Sequence, residues 1–250
     1  MALTAQQLVF NACAVAKGPG YVIQAGQWLN MILGDLCQTF DFEIAAKTDY
    51  GFFNPGQSAQ VGNSIYGSGP YNLPADFLRV KDDKSFIWTL LGVVYVPIPV
   101  DLSEFDMLVQ QADIQSYPYL YATDVSLGDA TQQGQVNVGG GFYVYSPPSG
   151  NYSWQMRYFA QMPDIATPET SNAIPWFPNQ GYLHTKMSAY VMGETGDPRA
   201  DAWHANAEAM LGSYLKLKDN KTNRAQMVKL DRRQFGNTFS RLRNTKVIGW

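Results

Sequence analysis

The sequence predicts an α+β fold: a helical bundle formed from N- and C-terminal helices, an inserted antiparallel β-sandwich or barrel-like region, and an extended C-terminal arm. Three observations predict it. Apolar residues recur at helical spacing behind recognisable caps near the start of the chain and again after Pro168. From about Tyr50 the apolar period falls toward two, and prolines and glycines cut the chain into short pieces. Beyond residue 218 the apolar period disappears and positive charge gathers. The resulting segments are an N-terminal helical hairpin over 1–48, a β-rich insertion over 49–167, C-terminal helices over 168–218 and a basic arm over 219–250.

The first helix opens with Thr4 and Gln7 in the T-x-x-Q pattern of a capping box. Leu8, Ala12, Val15 and Ala16 follow on one stripe, and Gly18-Pro19-Gly20 stops it. A second helix over roughly Gln24–Thr39 aligns Trp28, Ile32, Leu36 and Cys37, so the pair reads as an antiparallel hairpin. In the middle region, Ser85–Leu91 and Val93–Val100 flank Gly92 as a β-hairpin. Pro97 and Pro99 place its second strand at a sheet edge. A short helix follows Asp101 through Val109. Further strands are expected at Tyr119–Thr123, Phe142–Tyr145 and Tyr152–Phe159; in the last, Tyr152, Trp154, Met156 and Tyr158 alternate with Ser153, Gln155 and Arg157. A helix from near Pro178 presents Leu183, Met187, Tyr190 and Val191 and ends at Gly193. The next starts with Asp197 as N-cap and Pro198 at the first helical position, runs to about Lys218, and points Trp203, Met210, Tyr214 and Leu217 inward.

At 250 residues and 46% hydrophobic, the chain can bury a substantial core. No apolar run is long enough to span a membrane. No secretory signal precedes the first helix, so Cys13 and Cys37 are expected as reduced core thiols rather than a disulfide. The net charge of −3 hides a partition. Residues 216–250 hold ten Lys and Arg against Asp219 and Asp231, a net +8, and the rest of the chain is −11. A concentrated charge of one sign calls for a complementary surface. Phosphates of nucleic acid, an acidic groove on a protein partner, or solvent could each meet it; the dispersed Phe235, Phe239 and Trp250 favour the groove, and an acidic body repels DNA.

Catalytic signatures are missing. His184 and His204 sit on helical segments and read as structural. Gly62-Asn63-Ser64-Ile65-Tyr66 lacks the second glycine of a nucleophile elbow, and Gly139-Gly140-Gly141 lacks the Lys-Ser or Lys-Thr of a phosphate loop. The acidic pairs Asp82-Asp83, Glu104/Asp106 and Asp41/Glu43 have nothing to aim them at a shared site and read as solvated loop carboxylates. Neither an enzyme nor a cofactor or metal site is expected. Tyr117-Pro118-Tyr119-Leu120-Tyr121 and Phe142-Tyr143-Val144-Tyr145 could form a sugar-binding platform, but strand-core and subunit packing explains them at least as well.

Several blocks in order resemble the head-to-tail adaptor proteins of short-tailed and related phages, the group also called tail tubular protein A. They are Met1–Leu8 with its Gly18-Pro19-Gly20 stop, Gly69–Arg79, Ile174–Asn179, Lys229–Gly236 and Ser240–Lys246. The resemblance implies a structural ring, usually twelve-fold, in the virion neck, assembled in the cytoplasm of the bacterial host. It implies docking under the portal protein, a seat for the tail nozzle protein, and DNA passing through the lumen without specific binding. It also implies a portal-binding arm in which Lys229, Arg232, Arg233, Arg241, Arg243 and Lys246 supply charge, and Phe235, Phe239 and Trp250 supply buried contacts. A carbohydrate-binding tail component is the alternative.

Overall fold

The computed structural model describes residues 2–53, 60–61, 64–65, 68–108, 116–124 and 140–221. Four long helices share one apolar core: α1 (Ala5–Val15), α2 (Val22–Thr39), α4 (Gln180–Glu194) and α5 (Ala200–Lys221). Ala12, Leu29, Leu183 and Met187 lie at its centre, all fully buried.

The start of α1 shows how the two ends of the chain are tied together. Ala5 and Gln6 donate their N–H groups to the carbonyls of Ala173 and Ser171. Thr4 accepts from the N–H of Gln7, and the Gln7 side chain accepts from that of Thr4, completing the expected capping box. Orphan donors at a helix start are thus met partly from a segment more than 160 residues away. The Gln180 amide adds a two-way link, accepting from the Leu3 N–H (2.7 Å) and donating to its carbonyl (3.2 Å).

The helix stops fall near the expected glycines with different assignments. At the end of α1, Lys17 takes the left-handed position (φ 54°). Gly18 N–H reaches the Cys13 carbonyl and Lys17 N–H that of Ala14, a Schellman arrangement. Gly18 is needed for a different reason: a Cβ there would come within 2.8 Å of Val191 on α4. Helix α4 runs through Gly193, where it was expected to end, and closes at Gly196 (φ 70°), whose N–H meets the Gly193 carbonyl while Asp197 N–H meets that of Met192. On α5, Ala207 and Leu211 form the buried line, Trp203, Met210 and Tyr214 flank it, and Leu217 is 57% exposed rather than inward. Both cysteines are buried and unbridged, and the Cys37 thiol donates to the Ala160 carbonyl.

The β region contains two main sheets. The first has the order β1 (Ala46–Phe52), β11 (Ser153–Ala160), β6 (Phe86–Leu90), β7 (Val93–Tyr95), with β5 (Phe77–Val80) also on β11. The second runs β4 (Ser68–Asn72), β10 (Gly141–Tyr145), β9 (Leu120–Asp124), β8 (Ile98–Pro99); β2 (Gln60–Val61) and β3 (Ser64–Ile65) form a separate pair. Phe86, Trp88, Trp154 and Met156 of the first sheet and Tyr121, Phe142 and Val144 of the second belong to one buried cluster. The alternation read in β11 holds: Tyr152, Trp154, Met156 and Tyr158 are all buried. Gly51 on β1 opposes Trp154, and a Cβ there would meet the indole at 2.4 Å.

The expected second hairpin strand, Val93–Val100, divides between the sheets. Its first part is β7, at the edge of one; after Val96 and the buried Pro97 it continues as β8, the parallel edge strand of the other. Ile98 and Val100 donate to the carbonyls of Tyr119 and Tyr121, so Pro99 occupies the position that owes no hydrogen bond to the sheet. The helix expected after Asp101 is α3 (Leu102–Leu108), and Val109 lies outside the described residues. A small cluster of Cys37, Ala45 and Phe159, with Trp176 against it, joins the helical core to the first sheet.

Candidate functional site

The predicted portal-binding residues, Lys229, Arg232, Arg233, Phe235, Phe239, Arg241, Arg243, Lys246 and Trp250, all lie outside the described residues. The start of the arm is displaced: α5 continues through residues 219–221. What the structure places is the acidic body that would meet such a segment.

Where helices join sheets, two carboxylates spaced two apart meet two cations spaced two apart, one on β5 and one just after it. Asp41 accepts from the Arg79 Nε at 2.9 Å and Glu43 from the Lys81 Nζ at 2.7 Å, while Arg79 also donates to the Gln38 carbonyl. Lys47 pairs with Asp76, which accepts from the Tyr158 hydroxyl as well. Burial alone would raise the Asp76 carboxyl, but Lys47 and Tyr158 outweigh it and hold the group below the usual carboxylate range. Asp41 and Glu43 are therefore structural ion pairs rather than merely solvated loop acids. The matching two-residue periods of 41/43 and 79/81 were a signal available in the sequence.

The other acidic pairs behave differently. Asp82 and Asp83, after β5, line a groove of about 540 Å³ together with Asp101 and Glu104 at the start of α3. Two acidic pairs read as separate features therefore contribute to one surface; Asp106 is exposed on α3 and is not part of its lining. Buried Tyr121 also lines the groove. Its hydroxyl is pushed up to about 12, by burial first and then by Asp83 and Asp82.

A second surface is apolar. At the β6–β7 turn, Leu91 (φ 49°) and Gly92 (φ 81°) both take left-handed backbone, the geometry of a two-residue type I′ hairpin. Leu91 is 95% exposed, and Val93, Val94, Val96 and Ile98 beyond it are about half exposed along two sheet edges that no other described strand covers. At the opposite edge of the first sheet, Tyr50 (69%) and Phe52 (66%) on β1 face solvent. Unpaired edges with apolar side chains are pairing surfaces.

The aromatic stretches are mostly core. Tyr121, Phe142, Tyr143 and Val144 are buried, leaving Tyr117 and Tyr119 half exposed. Tyr117 and Tyr95 lie parallel, 6.1 Å apart, beside buried Trp88, whose indole N–H donates to the Pro118 carbonyl. His184 and His204 are half buried on α4 and α5, each with its imidazole pKa lowered by burial; His204 packs edge-on against Tyr190. No group of three or more His, Cys, Asp and Glu suited to a metal ion occurs among the described residues, and no described helix is long and apolar enough to cross a membrane.

Comparison with known proteins gives one family. Residues 5–233 match the family model described as SU10 adaptor protein. No curated protein matches the chain.

Proposed function

We infer the function from the chain's family: it belongs to the SU10 adaptor protein family, a family of structural phage adaptors rather than an enzyme class. As a component of the virion, it forms a ring that docks under the portal protein and connects it to the tail nozzle protein around the DNA channel. The family match carries this reading because it spans the helical core, both sheets and the first part of the basic segment.

The physical features agree with it. The edges at β1 and β7 lie at opposite ends of the first sheet's strand order, β8 forms an edge of the second sheet beside β7 in sequence, and exposed apolar side chains lie on all three. Copies arranged head to tail, twelve in a closed ring, would cover both edges with one repeated contact. An acidic body keeps passing DNA from adhering, and the basic arm supplies the portal contact through Arg232, Arg233, Arg241, Arg243 and Lys246 with Phe235, Phe239 and Trp250 as anchors. Repetition round the ring multiplies modest contacts.

Deleting residues 222–250, which leaves α5 whole, is the decisive experiment. The truncated protein should keep its melting transition and lose binding to purified portal; full-affinity binding would refute the arm assignment. The stacked, half-exposed Tyr95 and Tyr117 favour a second reading as a carbohydrate-binding tail component. Specific retention on host polysaccharide, lost in Tyr117→Ala, would support it.

A further inference from the structure

The groove between β5, β8 and α3 has more negative charge than its surroundings satisfy. Arg79 and Lys81 reach its wall, but each is already paired with Asp41 or Glu43. Among the described residues no cation pairs with Asp82, Asp83, Asp101 or Glu104. The groove also holds an unmet polar group. Tyr121 is 3% exposed, with its ring edge-on to Phe86 at 4.8 Å, yet its hydroxyl forms no hydrogen bond among the described residues and belongs to the groove lining. A hydroxyl that opens on the groove from an otherwise buried side chain, beside carboxylates, suits a ligand that brings both cationic and hydrogen-bonding groups.

We propose that this groove seats the basic C-terminal segment, residues 222–250, of the same chain. The charges are complementary: the segment has seven Lys and Arg against Asp231 alone, and residues 1–221 are net −9. Position favours it too. Tyr214, in the last turns of α5, packs against Phe42 at 6.4 Å, and the neighbouring Asp41 holds Arg79 on the groove wall. Extended chain covers about 3.3 Å per residue, so the segment can span on the order of 90 Å from the end of α5. A tether of this length gives an effective concentration on the order of millimolar, which favours the chain's own segment over a neighbour's. The consequence for assembly rests on the portal-docking reading. A segment held in the groove is withheld from portal, so portal must displace it, and adaptor copies stay unengaged until they meet their socket.

Limited trypsin digestion of the full-length protein without portal tests the seat. Asp82→Asn, Asp83→Asn, Asp101→Asn and Glu104→Gln combined should speed cleavage within residues 222–250 by about fivefold or more, and about 0.5 M salt should act likewise on the unaltered protein. Equal cleavage rates with and without the substitutions overturn the proposal. Rates independent of protein dilution support a seat in the same chain, and faster cleavage on dilution overturns that assignment. If the fourfold variant does not fold, Asp101→Asn with Glu104→Gln, both at exposed positions, must give a smaller acceleration, and none would overturn the proposal. Unchanged cleavage alongside loss of portal binding on deleting 222–250 sinks the groove seat and leaves the portal reading intact. The opposite pattern sinks the portal reading alone.

Discussion

The helical core and the β region finish their surfaces in different ways. In the helical part the large apolar side chains gather on one shared core, the first N–H groups of α1 find carbonyl and threonine acceptors, and both glycine-rich stops close with paired carbonyls. The first sheet instead ends in two open edges whose apolar side chains face solvent, led by Leu91, Phe52 and Tyr50. Side chains of similar chemistry thus stabilise the chain in one place and await a neighbour in the other. Burial, rather than hydrophobicity, separates the two roles.

The sharpest way to break this contrast is to truncate one residue of each kind. Leu183→Ala, at a fully buried position, should cost about 3 kcal/mol of unfolding free energy in a denaturant titration. Val94→Ser on the exposed edge should change it by less than about 0.5 kcal/mol while weakening self-association in sedimentation. Equal losses of stability would erase the distinction.

Acid should separate the regions next. Burial, partly offset by a hydrogen bond at the Asn11 backbone, holds the His184 imidazole below its ordinary range. The unfolded chain therefore takes up this proton first. Stability is full above about pH 6.5 and declines as pH falls through that value. His184→Gln should flatten part of this decline, leaving the share of His204, which is shifted the same way. For Asp76, whose folded value is lowered, the contribution is present above about pH 4 and is lost only below it. The smallest effect is at the hairpin tip. A leucine at positive φ is strained, and Leu91→Asn should stabilise the isolated protein by about 1 kcal/mol. If it instead weakens self-association, the strained leucine serves a contact.

The sequence made the helices and β11 legible because their signals are local: a capping box, a 3.6-residue stripe, a two-residue alternation. It misled where tertiary context decides. β1 forms the longest pairing among the described strands, with β11, yet Lys47, Thr48, Asp49 and Gly51 show no apolar alternation, because most of its side chains face solvent. Val93–Val100 reads as one strand since nothing local says that Pro97 carries the chain from one sheet to the other. Gly193 looked like a stop, but in the helix interior no steric reason ends α4, and Gly196 supplies the left-handed residue three positions later. Leu217 fits the apolar stripe of α5 but lies beyond the end of the core. Of the candidate sites, the charge partition was visible in composition. The groove was not, because it assembles Asp82, Asp83, Asp101, Glu104 and Tyr121 from three separate stretches.

The Leu3–Gln180 link has a consequence for synthesis. Helices α1 and α2 leave the ribosome first, but the partners that cover their apolar stripe, α4 and α5, emerge only after the whole β region has been translated. The N-terminal hairpin must wait with its sticky face bare, a period in which chaperone binding or clumping competes with productive closure. Expression yield should therefore depend on how quickly translation proceeds from codon 40 to codon 180, even in variants whose finished fold is unchanged.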